Sequence, residues 1–555
     1  MRWRIAPVLL LAGLAGAQQA PTRSPLPRGE YKITGQVINS VGGQPLPSLD
    51  VSITSAQQRD QVQHTVSDDS GHFAFLNVAP GKYALEARGH GFVNQAFKQH
   101  EGFSTAIAVG PGLVSEGLVF PVNPDASISG NLTDEQDEAV REGQVLLFVN
   151  GLENGKQGIQ LAAQATPDDT GHYRFSHLAP GKYYIAVLAQ PWYAQHQPGI
   201  TSVSADESGQ AEAPRSDLDV AYPTTYYAGA TDESAATVIT LKAGDRFTAD
   251  VQLRATPALH LLINSSAQKS PPSAGLPQVT VTPNLQQRLF GSYETYVAGA
   301  TTSYSSGGMT HLELTGVPPG HYVVSFPSSD GKEAREQEMD IASDMELDPA
   351  GVSNASVTIT GTVHIEGSTT FPQVRYIRFE NHENGDVFGT NVDQHGEFEL
   401  QHPVAKPGLY EISSFNMGGY YVSSVTATGG KVSGHTLQLA PGSSVKLSIG
   451  MSKGLGTVDG TVLRDNKPVA EAMVVLVPQE PGRNLARVRR DQSDSDGTFT
   501  LASIVPGKYT VVAIQNGWDL EWSNPEVLKP FLANGEPVEV RPEGKYQIKA
   551  KAQGK

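Results

Sequence analysis

Short stretches in which apolar and polar residues alternate recur along the whole chain, separated by clusters of Gly, Pro, Asn, Asp and Ser. Period-two alternation buries one face of an extended strand and leaves the other in water, so the pattern predicts half-buried β-strands joined by tight turns. The clearest unit begins Ser67-Asp68-Asp69-Ser70-Gly71-His72-Phe73, continues through Leu76 and Val78, and ends Pro80-Gly81-Lys82-Tyr83-Ala84-Leu85. Asp or Ser starts such a turn by bonding its own backbone, and the glycine supplies the positive φ that closes it. Pro-Gly makes a second turn, and the tyrosine after it is expected to open the next strand with its ring on the core side.

The unit repeats. Asp168-Asp169-Thr170-Gly171-His172-Tyr173 leads to Pro180-Gly181-Lys182-Tyr183, and Asp494-Ser495-Asp496-Gly497-Thr498-Phe499 leads to Pro506-Gly507-Lys508-Tyr509. Weaker copies carry Pro319-Gly320-His321-Tyr322 and Pro407-Gly408-Leu409-Tyr410. Upstream lies a strand of the type Ile33-Thr34-Gly35-Gln36-Val37, with relatives at residues 128–132, 359–363 and 458–462; the third copy lacks the glycine. A Pro-containing loop and a second strand follow, such as Val51-Ser52-Ile53 or residues 473–477. Downstream, residues 105–122, 237–253 and 436–449 are expected to form final hairpins with Gly112, Gly244 and Gly442 at their tips. The Pro-Gly prolines are 100, 139, 88 and 99 residues apart. Each repeat thus offers about seven strands in about 100 residues, the size of an immunoglobulin-like sandwich.

The chain has 555 residues, enough for about four or five domains of ordinary size. Its 57 glycines, 37 prolines and only 17% charged residues suit a turn-rich all-β protein. A net charge of −17 repels phosphates, so nucleic acid is not an expected partner. With no cysteine, disulfides, thiolate metal sites and a cysteine nucleophile are excluded, and each domain must be held by its core. Arg2 and Arg4, the apolar residues 8–14 and Ala15-Gly16-Ala17 are read as a cleavable secretory leader, followed by a Pro-rich linker. No later stretch is apolar for long enough to span a bilayer. The expected location is secreted, periplasmic or on the outer cell surface.

A strand ending in x-G-x-V, then D-x-x-G-x-F, then L-x-P-G-x-Y-x-L, resembles the carboxypeptidase regulatory-like domains, relatives of transthyretin-like and collagen-adhesin B-type sandwiches. The match is strongest around Gly71, Gly171 and Gly497. Tyr222-Pro223-Thr224-Thr225-Tyr226-Tyr227, with Ile239-Thr240-Leu241 and Gly244, is similar to a segment of multi-domain proteins of this type from environmental bacteria, acidobacteria among them. The resemblance implies an all-β, tandem array of about five immunoglobulin-like (prealbumin-like) β-sandwich domains. It implies no catalytic residues, because in carboxypeptidases this domain is an appendage to the peptidase. The expected division is leader 1–17, linker 18–30, and sandwiches 31–123, 124–256, 257–352, 353–450 and 451–555.

Candidate chemistry is sparse. The sequence holds no His-Glu-x-x-His, no Gly-x-Ser-x-Gly and no phosphate-cradling glycine loop. His64, His72, His90 and His100 lack metal-ligand spacing. Asp494-Ser495-Asp496-Gly497 opens like a calcium loop, but Val505 stands where the bidentate acid belongs, so it is read as a turn. Glu86 occupies the place of the acid that assists isopeptide cross-links in some B-type domains, but no partner lysine is evident, and a surface role is expected. Arg483, Arg487, Arg489 and Arg490, followed by Asp491, Asp494 and Asp496, are read as a solvated, self-paired loop.

The aromatic loop residues are the most suggestive. Phe92, Trp192 and Trp518 each fall twelve residues after the proline of their Pro-Gly-Lys-Tyr motif, with Phe97, Tyr193 and Trp522 close behind. They are read either as plugs that close one end of a sandwich or as a platform on which sugar rings stack. Trp192, Tyr193, Trp518 and Trp522 are the candidate ligand-binding residues. Trp518 is expected to be the buried member of its pair and Trp522 the more exposed one. No catalytic, cofactor-binding or metal-binding residue is assigned, and no cofactor. The expected function is a non-catalytic scaffold or binding protein outside the cytoplasm. Its expected partner is a glycan or an extracellular protein. The alternatives are a structural spacer and an accessory string for a separately encoded enzyme.

Overall fold

The computed structural model describes residues 29–194, 217–265, 284–291, 293–296, 300–306, 309–327, 334–347, 356–367, 376–403, 407–415 and 419–554. The expected leader and the linker up to residue 28 lie outside them. No helix among the described residues is long and apolar enough to cross a membrane.

The fold is all-β, and five separate hydrophobic cores follow one another along the chain. Their members run from Ile33 to Val122, Ala126 to Leu253, Leu259 to Leu347, Val357 to Met451 and Val458 to Ala552. In the first sandwich, Tyr31–Asn39 pairs antiparallel with His72–Val78 and parallel with Leu118–Val122. Facing it, Asp50–Ser55 pairs with Val62–Val66 and Gly81–Arg88. All five units share the parallel pairing of an opening strand with a closing one. It joins Ala126–Thr133 to Arg246–Thr248, Leu259–Ser265 to Met345–Leu347, Ser356–Ile365 to Ser444–Lys453, and Gly456–Arg464 to Lys545–Gln553.

The opening-strand glycine has a packing reason. Gly35 pairs with Phe73, Gly130 with Tyr173, Gly361 with Phe398 and Gly460 with Phe499. At Gly35, Gly361 and Gly460 the aromatic ring lies where a Cβ would stand, within 2.4–2.7 Å. The third sandwich has no such glycine, and there Ile263 pairs with Leu312.

The Pro-Gly tyrosine turns inward as expected. Tyr83, Tyr183, Tyr322 and Tyr509 are buried, and each hydroxyl donates to the carbonyl four residues upstream at 2.6–3.0 Å. This is a tyrosine corner, which ties the strand start to the preceding turn. In the fourth unit Tyr410 donates instead to Asp386 Oδ2, 2.7 Å away. Gly71, Gly171 and Gly497 have φ of 74°, 78° and 77°, as their turns require.

The expected final hairpins are not hairpins. Ile107–Val109 pairs with Gly81–Arg88 in one sheet, whereas Leu118–Val122 joins Tyr31–Asn39 in the other. Ile239–Leu241 and Arg246–Thr248 are divided in the same way, as are Thr436–Leu439 and Ser444–Lys453. The chain crosses the core at Gly112, Gly244 and Gly442, all with positive φ. Both strands bury their apolar face, so they close on one core from opposite sides rather than lying side by side.

The sandwiches are also not independent beads. Leu146 and Phe148 point out of the second core, and Leu289 and Phe290 of the third unit cover them. The Phe290 ring lies 4.8 Å from Phe148, 5.2 Å from Tyr184 and 5.5 Å from Tyr226. In the fifth unit Met473, Val475 and Val477 turn outward beneath Trp518 and Leu528. A continuous apolar run, unlike an alternating one, needs cover on both faces.

Where the second and third units meet, His260 Nε2 lies 2.6 Å from Asp219 Oδ2 and Nδ1 lies 2.8 Å from Glu313 Oε1. Asp344 Oδ1 accepts the His260 backbone N–H at 3.0 Å. The hydrogen bond to Glu313 and that to Asp219 raise the imidazole pKa against the lowering effect of burial. A raised folded pKa gives stabilisation that is complete below the unfolded value and is lost as pH rises through the folded one. The chain is therefore expected to melt higher near pH 6 than near pH 8, and His260→Gln to flatten that dependence. A His260→Gln profile parallel to that of the parent would refute the assignment.

Candidate functional site

Trp192 and Tyr193 follow the strand Gly181–Ala189 at one end of the second sandwich. Trp192 is 71% exposed, and its ring meets Tyr193 edge to face at 5.8 Å. The Tyr193 hydroxyl donates to Glu135, which fixes the ring beside the indole. Burial first, and Glu135 next, push the Tyr193 hydroxyl up to about 12, so it stays a neutral donor. Tyr222 is buried beside Tyr193, and the two hydroxyls interact. Burial and Glu135 raise its pKa as well. An exposed indole and a phenol oriented by Glu135 thus lie together at one rim.

Trp518 and Trp522 stand elsewhere. Trp518 is 7% exposed and packs on the outer face of the fifth sandwich, not on its inner core. His100 of the first sandwich stacks on it, with centroids 5.1 Å apart and planes within 7°, and Phe103 lies 5.5 Å away. Its Nε1 donates to the Glu471 carbonyl at 3.3 Å. Trp522 is half-buried, with the Arg490 guanidinium 4.2 Å over its ring. On its other contact, Gly155 at the tip of the second sandwich's long hairpin approaches so closely that a Cβ there would lie 2.3 Å from the indole. Ser523 donates to the Gly155 carbonyl at 2.7 Å. Both indoles of the pair therefore lie at contacts between sandwiches. Phe92 and Phe97 pack against the first core, Phe97 edge to face with Phe120 at 5.4 Å.

The arginine cluster differs from expectation. Arg490 forms a two-pronged ion pair with Glu101 of the first sandwich, at 2.7 and 3.2 Å. Arg487 contacts His435 of the fourth at 3.0 Å. Arg489 donates to the carbonyls of Ala486 and Val488. The segment is a junction between sandwiches rather than a solvated loop, which no local charge pattern reveals.

The remaining candidates are dispersed. His64 pairs with Asp50 at 3.2 Å and His72 with Asp68 at 3.6 Å. Among the described residues no three His, Asp or Glu side chains group as metal ligands would. Glu86 faces outward and pairs with Arg88 at 2.7 Å. An open cleft lined by Leu409, Val425, Lys431, Thr436, Gln438 and Arg483 lies on the fourth sandwich, away from the aromatic rims.

Residues 32–112 match the family model of the carboxypeptidase regulatory-like domain. Among solved structures, the chain is similar to the Bacillus anthracis TIE protein, with 10% identity over 94% of this chain and 74% of that one and a TM-score of 0.16. It is also similar to a streptococcal ancillary pilin, with 12% identity over 53% and 99% and a TM-score of 0.20. The minor pilin GBS52 of Streptococcus agalactiae gives 13% identity over 41% and 97%, with a TM-score of 0.20. Likeness of this degree says nothing about function. No curated protein matches the chain.

Proposed function

We propose, for a chain that carries a carboxypeptidase regulatory-like domain at residues 32–112, a non-catalytic multi-domain scaffold that works outside the cytoplasm and binds glycan through the rim of its second sandwich. The boundaries at residues 123, 256, 352 and 450 serve as its working division. The exposed Trp192 beside Tyr193 carries this reading. The apolar face of a pyranose suits an indole as exposed as this one. Glu135, held by the Tyr193 hydroxyl, supplies a polar group within the same rim to meet sugar hydroxyls. The second pair, Trp518 and Trp522, offers less open ring surface to a ligand.

The test is a glycan array and polysaccharide pull-down with the chain and with Trp192→Ala. At an exposed position this substitution is expected to leave the melting temperature unchanged and to weaken capture about tenfold or more, the scale of one lost stacking anchor. Equal capture by both proteins would remove the site. No capture of any glycan by the parent chain would remove the ligand class and leave the structural-spacer reading.

A further inference from the structure

We infer that the first and last sandwiches form a latch that closes the chain on itself, with the turn at residues 493–495 capping the open sheet edge at Ile107–Val109. The two sides lie 388 residues apart in sequence.

Ile107–Val109 spends one side of its backbone on Gly81–Arg88. Its other side would be a bare edge, and bare edges recruit strands from other chains unless they are covered. Here the cover comes from the fifth sandwich. Ala106 N–H donates to Asp494 Oδ1 at 3.0 Å, and Ala108 N–H to Ser495 Oγ at 2.8 Å. The Ala106 carbonyl accepts from Ser495 N–H at 3.0 Å. Two side chains and one amide thus take the place of a neighbouring strand.

Asp494 is the telling residue. Its counterparts Asp68, Asp168 and Asp393 each use Oδ1 to accept two amides of their own turn. Asp494 instead sends Oδ1 to Ala106 and Oδ2 to Lys82 Nζ, 2.5 Å away. Asp496 takes over the local work by accepting from Thr498 N and Oγ1. In the first and second sandwiches, whose aspartates stay in their own turns, Ser70 and Thr170 stand at the place of Asp496.

At this centre the polar side chains are buried and hydrogen-bonded to one another. Gln492, Ser493 and Thr105 are at most 1% exposed. Gln492 Nε2 donates to the Lys98 carbonyl at 2.7 Å and to Thr105 Oγ1 at 2.8 Å, and its Oε1 lies 3.2 Å from His100 Nδ1. Arg490 holds Glu101, and Lys98 holds Glu471 at 2.8 Å. His100 and Phe103 supply the apolar anchor against Trp518.

The absence of native cysteine makes a direct test simple. In the full chain, the pair Ala106→Cys and Ser495→Cys is oxidised and the products are separated on a non-reducing gel. A monomeric, faster-migrating species is expected. Adding Glu101→Arg, which faces Arg490 with like charge, should slow its formation about tenfold, and adding Arg490→Glu as well should restore it. Circular dichroism checks that each variant is folded. Disulfide-linked dimers, no cross-link at all, or a cross-linking rate indifferent to both charge changes would each overturn the latch.

Discussion

Trp518→Ala is expected to lower the stability of the last sandwich by roughly 3 kcal/mol or more, the usual cost of deleting a large buried aromatic. Trp518 covers the outward side chains of Met473, Val475, Val512 and Ile514 and carries His100 and Phe103 on its own surface. Its loss opens a cavity that backbone strands on one side and a second sandwich on the other cannot easily fill. Trp522→Ala is expected to cost less than half as much. That ring is only half-buried, and its Nε1 is buried with no hydrogen-bond partner among the described residues, so deletion also removes an unsatisfied polar atom. Urea unfolding of the two variants and the parent, followed by circular dichroism, measures the difference. Equal large losses would mean that the two indoles serve one packed core and that their different surroundings have no energetic meaning.

Gly460→Ile is expected to destabilise the fifth sandwich by about 3 kcal/mol, and Phe499→Leu to repair part of the damage. A Cβ at Gly460 would stand 2.4 Å from the Phe499 ring and 2.8 Å from the Ile548 carbonyl. The third sandwich already runs the alternative, with Ile263 registered against Leu312. Installing that pair in the fifth sandwich should therefore give a favourable coupling of about 1 kcal/mol or more in a double-mutant cycle. The repair is expected to be incomplete, because the Ile548 carbonyl belongs to the closing strand and cannot rotate away. Strict additivity of the two substitutions would disprove that the glycine and the ring share one volume.

Much of each sandwich is legible in the sequence because its causes are local. The φ of Gly71, Gly171 and Gly497 follows from the turn they close, and the inward tyrosines follow from period-two alternation after Pro-Gly. The pairing of a strand glycine with an aromatic ring is visible as a repeated motif, although its meaning emerges only with the register. One local feature stays hidden. Asn77, His177, Gly316 and Ser503, each three residues before the Pro-Gly proline, share a φ between 55° and 75° and bulge the strand there. Four residue types fill one backbone conformation, so composition carries no signal for it.

The fate of the loop aromatics shows where sequence reading stops. Trp192 and Trp518 occupy the same place in their repeats, yet one is 71% exposed and the other 7%. Nothing within either repeat differs enough to say so, because the surface that covers Trp518 belongs to the first sandwich. Asp494, Arg490 and Gln492 likewise read as one more polar turn until Ala106, Glu101 and Thr105 are brought against them. Local chemistry and hydrophobic period by themselves determine the strands, the turns and the five separate cores. Which outer faces meet, which aromatic stays exposed and which acid leaves its own turn are decided only by tertiary structure. Such contacts join residues hundreds of positions apart, and an alternating pattern reports burial without reporting what does the burying.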